Sequence, residues 1–167
     1  MCSNKINEVK FKMTDDDVLI ERKKIASLDQ KELNLIFTGY AQCINSILVM
    51  TIKQTKDEEE LVELERLKRL INFISVDERF IRTKDKLWAS KDFILAKDEK
   101  FFLSYEYNDM IASDEKKEFI EGLIDSLRDR YINMTTDEKE LYWSKAKKLI
   151  IYIAKFKKLA NEYEADK

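Results

Sequence analysis

The chain has 167 residues, 38% of them charged, with 31 basic and 33 acidic side chains and a net charge of −2. It contains no histidine, no proline, two glycines and two cysteines. Histidine-based triads, histidine metal sites, cysteine zinc sites and a disulfide framework are therefore excluded, and the scarcity of residues that tolerate positive φ argues against sheets and for helices joined by short polar links.

A chain of this length suits one domain with a substantial core. The balanced charge gives no global reason to expect nucleic acid or an anionic membrane as partner. Cys2 and Cys43 read as reduced thiols of an intracellular protein.

Residues 1–13, MCSNKINEVKFKM, are polar with a weak alternation of Val9, Phe11 and Met13. An added strand, an extended arm and a tail all fit, and the arm is the reading adopted. The stretch holds no apolar signal core, so secretion is not expected. Residues 14–167 are expected to form the helical bundle domain.

Thr14 followed by Asp15, Asp16 and Asp17 suits a helix start, where free backbone N–H groups and the helix dipole favour acids. Ser27 and Gln30 have capping-box spacing, as do Asp29 and Glu32 more loosely. They open a central helix over about 29–54. Its stretch Leu33–Ile52 carries no charge. The length fits a membrane span, but Asn34, Thr38, Gln42, Asn45 and Ser46 form a polar stripe that a bilayer would leave unpaired. A core helix is expected instead. Gly39 and Cys43 form a small patch for a neighbouring helix, and Asn34, Gln42 or Asn45 are expected to bond to an adjacent element.

Asp57 is expected to cap a helix running to Ile74. Leu64, Leu67, Ile71 and Ile74 form its apolar stripe, with Leu61 and Leu70 beside them. Ser75 and Glu78 have capping-box spacing for the next helix. Residues 76–97 read as two helices, about 76–88 and 91–97, or one kinked helix. Residues 98–113 look irregular, a linking segment pinned by aromatic residues with a short helix near 109–112. A helix is expected over 114–131, with Gly122 marking a crowded contact. Thr135 and Glu138 then open the last helix, 136–164, whose seam is Tyr142, Ala146, Leu149, Ile153, Phe156, Ala160 and Tyr163. Leu149–Ile153 is apolar all round, so it is either buried on two sides or part of an interface. The fold class expected is all-α: a single-domain bundle of six to seven helices around the 29–54 helix, with no sheet.

Carboxylates are the only remaining catalytic candidates. Asp15–Asp17, Asp57–Glu60, Asp114–Glu115 and Asp137–Glu138 all fall in first turns, where capping explains them. No enzyme activity, cofactor or metal is expected. Two binding features stand out. The aromatic residues Trp88, Phe101, Phe102, Tyr105 and Tyr107, with Ile151 and Tyr152, suit a protein interface with another chain or with a second copy of this one. Leu141–Asn161 holds no acid but contains Lys145, Lys147, Lys148, Lys155, Lys157 and Lys158. That run is a solvated face, a partner for the acidic 57–65 run within the fold, or a phosphate-binding stripe.

The run from Phe101-Phe102 through Asp137-Glu138-Lys139-Glu140 to Tyr142-Trp143 resembles small helical proteins of large DNA viruses and phages, mainly in its helix capping. The resemblance implies a viral accessory or virion protein, in host cytoplasm or in the virion, and assigns no functional residue. The functional expectation is a non-enzymatic protein-interaction module, cytoplasmic and not in a membrane. The alternative is a nucleic-acid-associated factor using Lys145, Lys147, Lys148, Lys155 and Lys158.

Overall fold

A computed structural model describes residues 14–104 and 128–161. Among them are α1 (Asp15–Ile25), α2 (Gln30–Gln54), α3 (Glu58–Phe73), α4 (Val76–Ala89), α5 (Lys91–Leu95), α6 (Glu99–Ser104) and α7 (Thr136–Leu159). A further helical stretch covers 128–132, and no strand occurs among the described residues. The all-α bundle expected from composition is the fold observed. The arm at 1–13, residues 105–127 with Gly122, and the tail after 161 lie outside the described residues.

The helix starts follow their capping residues. Thr14 accepts the Asp17 N–H while the Asp17 carboxylate accepts the Thr14 N–H, and Thr135 and Glu138 do the same for α7. Asp29 and Asp57 each accept two backbone amides. Two expected capping boxes do not form. Asp29 occupies the cap position expected of Ser27, and the Gln30 amide turns back to the open carbonyls of Ile25, Ala26 and Leu28. The Ser75 hydroxyl donates to Asp77 Oδ1 and accepts from Arg22, so a tertiary contact takes the group that capping needed.

Helices also end without glycine. Lys97 (φ 54°) closes α5 in the left-handed region, with Asp98 N–H on Phe93 O and Lys97 N–H on Ile94 O. The energetic cost of that conformation is offset by reach, since Lys97 Nζ meets Glu140 Oε2 of α7 at 2.6 Å. Asn161 (φ 58°) ends α7 in the same way.

The core is built on the α2–α7 pair. The helices run antiparallel: Gln54 donates to Glu138 at one end, and Gly39 lies under Tyr152 further along. α4 lies across both. Its Phe80 ring, fully buried, sits 5.1 Å from Phe37, 4.9 Å from Tyr40 and 5.0 Å from Phe156. One aromatic cluster thus joins the three main helices. α1 docks on α4 through buried Val18 and Ile25 and through the pairs Arg22–Asp77 and Arg82–Asp15. A second cluster, Tyr131, Met134 and Trp143 with Leu103 against it, ties α6 and the 128–132 stretch to the start of α7.

Length and apolar content alone allow α2 to cross a membrane, and it is the one such helix among the described residues. In this fold Leu33, Ile36, Phe37, Tyr40, Ala41 and Cys43 are buried against other helices. Gly39 and Cys43 are buried as expected. The polar stripe behaves differently. Asn34, Thr38 and Gln42 are exposed, and neither these three nor Asn45 makes a side-chain hydrogen bond among the described residues. α7 and α4 fill the opposite side, so the amides are hydrated and need no protein partner. The other correction is at 98–104. The expected irregular link is partly helix α6, because Leu103 gains cover from the Tyr131–Trp143 cluster that local spacing does not reveal.

Candidate interaction surfaces

The expected lysine stripe forms an exposed side of α7. Lys147, Lys148, Lys155 and Lys158 are all exposed, and Ile151 lies among them at 45% exposure. Lys145 instead points partly towards α2, where it and Lys148 oppose the burial that pushes the Cys43 thiol pKa up. None of these five lysines forms an ion pair among the described residues. Pairing with the acidic 57–65 run therefore does not occur there. Glu60 of that run instead accepts from Arg130, and the face is a row of unneutralised ammonium groups.

Trp88 is half-buried against the main core, with Lys91 Nζ 4.9 Å and Lys157 Nζ 5.2 Å from its ring centre. Tyr152 packs on Gly39 and carries Lys155 Nζ 5.5 Å from its ring. Phe101 and Phe102 lie in α6, while Tyr105 and Tyr107 fall outside the described residues. Within Leu149–Ile153, Leu149, Ile150 and Ile153 are buried, while Ile151 is exposed.

Next to α6, a polar network fixes the second cluster. Trp143 Nε1 donates to the Tyr131 hydroxyl at 2.6 Å, and that hydroxyl donates to Glu99 Oε1 at 2.6 Å. Burial and the Glu99 carboxylate push the Tyr131 hydroxyl up to about 12. Lys139 Nζ lies 5.0 Å from the same ring and 3.9 Å from Glu99. These contacts dock α6 against the start of α7. The network fixes a joint between elements and presents no reactive group.

The surface that sequence reading missed is the outer side of α3. Only Leu64 of this helix is buried. Phe73 is 88% exposed, Val62 62% and Leu70 42%. Of the expected stripe, Leu64 is buried and Leu67 and Ile71 are half-buried, while Ile74, at the helix end, is exposed. Val62 and Phe73 lie opposite that stripe, three turns apart, and that spacing was readable in the sequence.

Among the described residues no three acidic or cysteine side chains gather as metal ligands do. No family model, curated protein or solved structure matches the chain.

Proposed function

We propose that the chain is a non-enzymatic protein-binding module that works in the cytoplasm, in keeping with a small viral accessory or virion protein. The observation that carries this reading is the exposure of large apolar side chains on helix faces, above all Phe73 and Val62 on α3 and Ile151 on α7. A phenyl ring left in water forgoes roughly 1.5–3 kcal/mol of burial, and covering it on a partner recovers that energy.

Purification from the native source tests it. The chain is expected to carry a stoichiometric partner, or to self-associate, and to keep it in salt that strips lysine–phosphate contacts. A monomer with no retained partner sinks the reading.

One observation favours the alternative. Lys147, Lys148, Lys155 and Lys158 stand exposed on one side of α7 and form no ion pair among the described residues. Binding to DNA or RNA through them is steeply salt-dependent, and weakens when Lys148 and Lys155 are both changed to Glu. No shift in fluorescence anisotropy of a labelled duplex or single strand at low salt ends this alternative.

A further inference from the structure

We infer that the partner of the α3 outer face is α3 of a second copy, paired antiparallel about a two-fold axis; this rests on the protein-binding reading above. The charge along α3 is polarised. Residues 57–65 hold acids and no base, and residues 66–76 hold Arg66, Lys68 and Arg69 and no acid. The helix dipole explains acids in the first turn. It does not explain Arg66 and Arg69, which sit in mid-helix, since the last turn has no basic residue.

Glu58, Glu59, Arg66 and Arg69 are all exposed, and none forms an ion pair among the described residues. At 3.6 residues per turn, Glu59 and Arg66 lie on one flank of the line through Val62 and Phe73. Glu58 and Arg69 lie on the other. A two-fold axis crossing α3 near Glu63 sets Glu59 against Arg66 of the second copy and Glu58 against its Arg69. The same axis brings Val62 within about one residue of Val62 of the second copy and leaves Phe73 at the edge of the contact, beyond the start of the second copy's α3. All four charges and Val62 are thus matched by one symmetric register, as an isologous contact requires. A helix of this length, 16 residues, spans about 24 Å, so the contact is small and the dimer depends on concentration.

Charge swapping tests this. Glu58→Lys with Glu59→Lys makes the face basic at both ends, and Arg66→Glu with Arg69→Glu makes it acidic at both ends. Wild type is expected to approach twice 19.9 kDa by light scattering as concentration rises. Each variant alone is expected to stay monomeric, and an equimolar mixture of the two is expected to dimerise again. A wild type that stays monomeric at every soluble concentration overturns the inference, as does a dimer that ignores all four changes. A monomer that still holds a different protein sinks the self-pairing and leaves the binding-module reading standing. A monomer that holds nothing sinks both. Rescue on mixing also shows that the variants are folded, and each should keep the wild-type helical circular dichroism.

Discussion

Tyr40 and Thr83 show how much one buried hydroxyl decides. Thr83 Oγ1 donates to the Arg79 carbonyl at 2.7 Å, so in the 2.6 Å contact between the two side chains Tyr40 is the donor. Full burial pushes the Tyr40 hydroxyl pKa well above its ordinary value, and the group stays neutral. Tyr40→Phe removes a donor and leaves Thr83 bonded to Arg79, a loss of about 1 kcal/mol. Thr83→Val strands a buried hydroxyl and should cost about 1–3 kcal/mol. Urea unfolding of the two variants checks the order, and a larger loss for Tyr40→Phe contradicts it.

Gly39 is a second such position. A Cβ there would stand 2.3 Å from Tyr152 Cζ, closer than side chains tolerate. Gly39→Ala gains about 1 kcal/mol of helix propensity but forces the ring outward, so a net loss of about 1–2 kcal/mol is expected. With Tyr152→Ala in place the same change should become stabilising, which a double-mutant cycle reads directly. At Asp77, burial alone raises the carboxyl pKa, but hydrogen bonds from Arg22 and Ser75 outweigh it and hold the group below its ordinary value. Its stabilisation is therefore present above the unfolded pKa and disappears as pH falls through the folded one. Asp77→Asn should be less stable than wild type by about 1 kcal/mol at neutral pH, and the difference should shrink as pH falls below the ordinary aspartate range and vanish once it passes the folded pKa. An unchanged gap in acid would show that the pair contributes nothing.

At the scale of elements, the long helices were legible because each carries its own signal. Leu33–Ile52 is uncharged, Asp57 precedes Glu58–Glu60, and Thr135 stands three residues before Glu138, so α2, α3 and α7 appear within a residue of their expected starts. The elements that failed depend on distant partners. α6 is only six residues long and exists against Tyr131 and Trp143, which no local window contains. Ser75 has capping spacing, yet Arg22, 53 positions earlier, holds its hydroxyl. Phe80 was visible as apolar, but its place between Phe37, Tyr40 and Phe156 was not. Because that ring joins α2, α4 and α7, Phe80→Ala should cost about 3–5 kcal/mol. A loss under 1 kcal/mol would mean that the three helices do not share one core.

For the whole molecule, the sequence excluded histidine chemistry at once, since absence of a residue type needs no structure. Which faces stay open was less legible, because exposure is set by what packs elsewhere. The polar stripe on α2 is open to solvent at Asn34, Thr38 and Gln42, and the apolar residues Val62 and Phe73 of α3 lie opposite its inward stripe, where local spacing alone does not show what covers them. The candidate aromatic residues come from different elements, Trp88 from α4, Tyr152 from α7 and Phe101 and Phe102 from α6. The α2–α7 pair therefore serves as a scaffold, and the open faces of α3 and α7 are where binding is proposed. The most direct measurement is the light-scattering mass of the purified chain and of Phe73→Asp across a concentration series. A mass rising towards twice 19.9 kDa for wild type and staying at 19.9 kDa for the variant is the predicted result. A mass of 19.9 kDa for both, with no co-purifying protein, would contradict it.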